Sequence, residues 1–167
     1  IKTTLTKKRN SSRLEKIMNI DVLRKQLEID EGVVHEIYLD HLGLPTFGIG
    51  HLVTESDPEH GQAVGTPVEE SRCIEAFEQD IKTTVSECKL LYPDFDDLPE
   101  EVKQIIANMM FNLGLPTLSK FKNMKKHVDE EDWELAALEM ENSKWARQLP
   151  NRSGRLIDRM RLLAIPF

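Results

Sequence analysis

No run of apolar residues in this chain approaches the ~20 needed to span a bilayer, so no membrane-spanning helix is expected. The N-terminus is basic but lacks the apolar segment of a signal peptide. The first residue is Ile1 rather than Met, as expected of a processed product or an excised domain, and localisation stays open. Cysteine is scarce. The spacing of Cys73 and Cys88 fits neither a zinc pattern nor C-x-x-C. On one continuous helix they would stand about 22 Å apart, too far to bond to each other. Two lone buried thiols are therefore expected, with no implication of an oxidising compartment. Internal repeats and low-complexity segments are absent as well. What is left is 167 residues, 40% of them apolar. That is too apolar for a disordered chain and suits one domain, or two small lobes sharing a long element.

Positive charge is scarce in the middle of the chain. Residues 1–19 carry six basic side chains against Glu15, and residues 144–167 carry six against Asp158. The overall net charge of −7 therefore leaves −17 for residues 20–143. Such a chain is a poor nucleic-acid binder. The basic ends are read as solvated faces or as partners for an acidic cleft.

The periodicities predict an α+β protein, predominantly α-helical. Residues 1–19 read as a basic arm or an extra helix, with Ser12 as a possible N-cap. Leu14, Ile17, Met18, Val22, Leu23 and Leu27 predict a helix from about 12 or 20 through Ile29, ending near Gly32. Short alternating runs at Glu36–Leu39, Thr46–Gly48 and Gly50–Val53 predict a small antiparallel sheet. Residues 54–65 form a polar loop. Thr66, Pro67 and Glu69 predict a capped helix start, and the stripe Ile74, Phe77, Ile81, Val85, Cys88 and Leu91 carries that helix to about 91. Asp97 and Glu100 predict the cap of a core helix that Gly114 closes. A turn at 115–117 and helices near 118–127, 130–142 and 151–162 complete the chain. Trp133, Ala136, Ala137, Leu138 and Met140 read as packed core. A small lobe at about 30–65 is thus joined by a helix at about 66–91 to a helical lobe at about 92–167, with a cleft between them.

The stretch from Asp30 to Leu52 holds four carboxylates, Asp30, Glu31, Glu36 and Asp40, and half of the eight glycines. That mixture builds a cleft better than a core. Glu31 stands at a helix end beside apolar Ile29 and Val33, where partial burial would favour its protonated form. Asp40 stands at a polar turn, where it would remain ionised. An acid and a carboxylate kept apart in this way are the kit for cleaving a glycosidic bond. Thr46 could hold a water beside Asp40. Asp40, His41 and His51 are rival zinc ligands, but their spacing matches no zinc motif, so no metal and no cofactor is expected. Both histidines are expected to make structural hydrogen bonds or to line the cleft.

Glu31-Gly32, Tyr38-x-Asp40 and Gly43-x-x-Thr46-x-Gly48-Ile49-Gly50-His51-Leu52 together resemble the phage-type lysozymes, glycoside hydrolase family 24. Residues 108–114 and the segment Ser143 to Arg155 extend the resemblance, which covers about 20–163. It implies a two-lobed lysozyme domain over residues 20–167 and a monomeric muramidase. It implies Glu31 as general acid, Asp40 as the carboxylate that positions water, and Thr46 as its helper, usually with inversion at the anomeric carbon. Arg152 matches the arginine that pairs with the acid. Leu52, Phe111 and Asn112 match positions that line the saccharide cleft, and Asp30 and His51 take supporting roles. The implied partner is bacterial peptidoglycan, with no nucleic acid and no membrane. The acidity of the chain is expected to weaken long-range attraction to an anionic wall. A catalytically silent glycan-binding module of the same fold is the alternative.

Overall fold

The structure, a computed structural model, describes residues 17–166. The basic arm and Ser12 therefore lie outside the described residues, apart from Ile17 to Asn19. Helix α1 (Ile20–Glu31) starts at Asn19, whose side chain accepts from the Val22 N–H at 3.2 Å. The same Asn19 is tied to the helical core, because its N–H donates to Glu100 and its carbonyl accepts from Gln104. Gly32, at φ 74°, ends the helix as expected.

Three short strands follow: β1 (Val34–Leu39), β2 (Pro45–Gly48) and β3 (His51–Leu52), antiparallel in the order β1-β2-β3. Tyr38 pairs with Thr46, and Thr46 pairs in turn with Leu52. Helix α2 (Glu70–Leu91) begins later than its cap signal predicts. Residues 65–68 bond to β1 instead, through Ile37 N–H to Thr66 O, Gly65 N–H to Ile37 O and Val68 N–H to His35 O. The Thr66 hydroxyl donates to Ala63 O. Backbone pairing and burial of Val68 under the sheet outcompete the local capping preference. Ile74 is half exposed, while Phe77, Ile81 and Cys88 are buried.

After α2, Phe95–Asp97 forms one turn of 3-10 helix, so Asp97 does not cap the core helix α3 (Glu100–Leu113), which starts after Pro99. Gly114 closes α3 as expected. The expected turn at 115–117 is a single helical turn, α4 (Leu115–Leu118). Then come α5 (Lys122–Asp129), α6 (Trp133–Glu141), α7 (Lys144–Gln148) and α8 (Pro150–Leu162). Helix α7, capped by Ser143, is too short to show a period and was not anticipated. Ala136, Ala137 and Met140 are fully buried, but Leu138 faces outward.

The buried residues form two clusters. The larger joins α1, α2, α3 and the C-terminal helices around Leu23, Phe77, Ile105, Met109, Ala136 and Met160. The smaller packs Ile37 and Phe47 of the sheet on Val68, Cys73 and Ala76 at the start of α2. Two cores sharing one long helix make a two-lobed α+β lysozyme-like fold. Cys73 and Cys88 are free and buried on α2, and burial pushes the Cys88 thiol up to about 12. Among the described residues, no helix is long and apolar enough to cross a membrane.

Tertiary pairing accounts for the uneven charge. Arg152, Arg155, Arg159 and Arg161 of the basic C-terminal segment form ion pairs with Glu31, Asp30, Glu101 and Glu134, all from the acidic middle.

Candidate active site

Glu31 is the last residue of α1, where the turn at Gly32 sends the chain into the sheet. Its neighbours differ from expectation. Ile29 and Val33 are exposed and do not cover it. Arg152, in the first turn of α8, donates to Glu31 Oε1 at 2.6 Å. Arg152 is itself buried and held, with Nε on Asn108 Oδ1 at 2.9 Å. The Asn108 amide donates to Asp30 Oδ2 at 2.8 Å, and Asp30 also pairs with Arg155. Neighbouring carboxylates of α1 are thus clamped by α3 and α8. Paired and hydrogen-bonded at the same time, the buried guanidinium has a fixed direction.

The other oxygen of Glu31 lies against Gly50. A Cβ built on Gly50 would stand 2.8 Å from Oε2, and φ there is +60°. Gly50 therefore leaves room for the carboxyl as well as turning the chain between β2 and β3.

Asp40 follows the end of β1. Its Oδ1 accepts the N–H groups of Leu42 at 2.8 Å and Leu44 at 2.9 Å, which folds residues 40–44 into a tight turn. Thr46 is buried, and its hydroxyl donates to Leu44 O at 2.9 Å, leaving the oxygen's lone pairs to accept. Tyr38 stands beside Thr46 in the sheet register. Burial, then the charges of Glu31 and Asp40, push its phenol above the ordinary value, which places the ring within electrostatic reach of both carboxylates.

A cavity of about 450 Å³ opens on Glu31. His41 lines it from the sheet side, and Asn112, Gln148, Arg152 and Arg155 line it from the helical side. Asn112 Oδ1 also accepts from Trp145 Nε1 at 2.8 Å, which fixes its orientation. A second cavity of about 430 Å³ lies beyond Trp145 and shares Gln148. Phe111 is partly buried against Phe77, ring centroids 5.8 Å apart, and lines neither of these cavities. Leu52 is 46% exposed at the end of the row Tyr38–Thr46–Leu52.

His51 faces away from the carboxylates of the cleft. Nδ1 meets Asp80 at 2.6 Å and Nε2 meets Asp57 at 2.8 Å, with side-chain exposures of 10%, 27% and 14% for His51, Asp80 and Asp57. Arg72 closes the cluster by bonding Asp57 and Glu59, which ties the polar loop to α2. Burial alone would lower the His51 value, but the hydrogen bonds and charges of the two aspartates outweigh it and raise the value. Burial pulls Asp57 up, but the Thr54 N–H and His51 outweigh that and hold it low. A raised histidine stabilises the fold fully below its ordinary value and loses that contribution as pH climbs through the raised one. A depressed aspartate stabilises above its ordinary value and loses that contribution as pH falls. Support from this pair is therefore greatest between 3.8 and 6.5. Removing His51 leaves two half-buried carboxylates facing each other. His51→Asn is expected to cost about 3 kcal/mol near pH 5, the low end for a broken buried pair. Thermal unfolding against pH checks this. Wild type should lose stability above pH 6.5, and the variant should be flatter over the same range.

Sequence reasoning had no role for Asn108, which orients Arg152, for Tyr38, or for the contact of Gly50 with Glu31. Each left a signal without a role: Tyr38 in Tyr38-x-Asp40, Asn108 at the head of residues 108–114, and Gly50 as one of two glycines flanking Ile49. The partners of His51 left none, because Asp57 and Asp80 are two acids among 29.

The family described as phage lysozyme matches residues 28–160. The probable T4-type lysozyme 2 of Dictyostelium discoideum is 32% identical over 157 residues, covering 83% of this chain and 92% of that protein. The probable T4-type lysozyme 1 of the same organism is 31% identical over 160 residues, with the same coverage of both chains. The pre-baseplate central spike protein Gp5 of Enterobacteria phage T4 is 24% identical over 152 residues, which cover 80% of this chain and 26% of that protein.

Proposed function

The chain belongs to the phage lysozyme family, the glycoside hydrolases of family 24, and from that premise we propose that it lyses bacteria by cutting peptidoglycan between N-acetylmuramic acid and N-acetylglucosamine, with Glu31, Asp40 and Thr46 as the reacting and water-holding groups. The observation that carries this reading is the clamped Glu31. Arg152 occupies Oε1, so Oε2, beside Gly50, is the oxygen free to carry a proton. Glu31 gives that proton to the glycosidic oxygen as the bond to the anomeric carbon breaks. A water attacks the opposite face and passes its proton to Asp40. Two N–H groups hold Asp40 Oδ1, which fixes the direction of the carboxylate. The Thr46 oxygen accepts one hydrogen of that water. The net negative charge between residues 20 and 143 is not repeated in the cavity, where Arg152 and Arg155 balance Glu31 and Asp30.

The test is digestion of purified peptidoglycan, with fragments identified by mass spectrometry and the anomeric product followed by proton NMR. Fragments ending in reducing N-acetylmuramic acid, first appearing as the inverted anomer, are expected. Anhydro ends would mean that no water attacks and would remove the role given to Asp40 and Thr46. Binding to the wall without release of fragments would instead favour a silent glycan-binding module.

A further inference from the structure

Tyr38 has no role in the chemistry above, yet it stands beside Thr46 in the sheet and two residues before Asp40. Directly paired residues on neighbouring strands share a face, so Tyr38, Thr46 and Leu52 form one row across the sheet. Asp40 follows two residues after Tyr38, where β1 ends and the turn begins. The Tyr38 ring is partly buried, and its hydroxyl makes no hydrogen bond among the described residues. A partly buried polar tip is ordinarily matched by a partner or by a water. Here the nearby groups of opposite character are two carboxylates and the site meant for a water.

We propose that Tyr38 is a positioning residue for hydrolysis, its hydroxyl orienting the attacking water between Asp40 and Glu31. This rests on the muramidase reading of the same site. The phenol O–H donates to the water oxygen, at the lone pair not used in the attack, while the Thr46 oxygen accepts the hydrogen that is not transferred. In the step itself the water oxygen bonds to the anomeric carbon and the bond to the leaving sugar breaks. The water's proton goes to Asp40, and the leaving oxygen takes the proton of Glu31. Tyr38 keeps its own proton throughout. Burial and the two carboxylates favour that state by raising the phenol above its ordinary value. Thr46 and Tyr38 thus fix the water from two adjacent strands, which a single hydroxyl could not do.

The experiment compares wild type, Tyr38→Phe and Glu31→Gln on a soluble peptidoglycan oligomer, with kcat, KM, the pH profile of kcat and the thermal midpoint measured for each. Phenylalanine keeps the ring and its packing. For Tyr38→Phe, kcat should fall about tenfold to a hundredfold, as expected for loss of orientation in a bound complex. KM should stay within about twofold and the thermal midpoint should hold, because no binding contact or packed volume is lost. Because Tyr38 acts on the water and not on the carboxylates, kcat should fall by the same factor across the pH profile. Wild-type kcat in Tyr38→Phe, with Glu31→Gln inactive, would overturn this inference and leave the muramidase reading standing. A loss of kcat that comes with a lowered midpoint would mark a packing role and overturn it too. Full turnover by Glu31→Gln would remove the parent reading and this one with it.

Discussion

Glu31→Gln should abolish turnover, by about a thousandfold or more, while leaving the protein as stable as wild type or more so. The first half follows from the proton that glutamine cannot give, since general acid catalysis contributes on the order of 10²–10⁴ in rate. The second half follows from where Glu31 sits. Asp30 and Glu31 are the last two residues of α1, and no basic residue lies in its last turn. Negative charge there opposes the partial negative charge of the helix C-terminus, and the two carboxylates repel each other. Glutamine has the same shape, so it keeps an oxygen for the Arg152 guanidinium at the site of the 2.6 Å bond. Arg152 also keeps its bond to Asn108 and its proximity to Asp30. Release of reducing ends from purified wall measures the first effect, and thermal unfolding near neutral pH measures the second. Retained activity would remove Glu31 as the acid. A strongly lowered midpoint would show that the Arg152 pair holds the lobes together more than it strains them.

Gly50→Ala is expected to cost nearly as much activity by a different route. The new Cβ would stand 2.8 Å from Glu31 Oε2 and 3.1 Å from Cδ, so the carboxyl has to move. Because the other oxygen is held by Arg152, the movement either breaks that bond or tilts the acid away from the glycosidic oxygen. A misplacement on the order of 1 Å costs about a hundredfold in rate. The left-handed φ of +60° adds about 1–2 kcal/mol of backbone strain. Gly61→Ala separates the two effects. Its φ is +80° and nothing lies within 4 Å of the added Cβ. It should lose similar stability and keep its turnover. Equal loss of activity in both variants would mean that strain alone, not the contact with Glu31, explains the effect.

The expected carboxylates and their local settings were legible where the reasons are local. The end of α1 at Gly32, the three strands, and the turn that follows Asp40 each come from residues within a few positions of one another. Where a distant partner competes with a local signal, the reading failed. Thr66, Pro67 and Glu69 satisfy the pattern of a capped helix start, but β1 offers the backbone of residues 65–68 better hydrogen bonds, and the helix waits until Glu70. Asp97 likewise has the right spacing to Glu100 and is taken into a turn of 3-10 helix instead. Ile29 and Val33 flank Glu31 in the chain but not in space, so the burial expected of them was misplaced.

Periodicity and motif spacing are properties of neighbours along the chain, and they suffice for the α+β class, the family, the number of strands and the candidate carboxylates. What those carboxylates touch depends on packing between distant segments. Glu31 meets Arg152 across 121 positions and Asp30 meets Asn108 across 78, and no local pattern encodes which distant residue a side chain will face. The clamp on one oxygen of Glu31, the space that Gly50 leaves for the other, and the unpartnered hydroxyl of Tyr38 all arise from packing between elements distant in the chain.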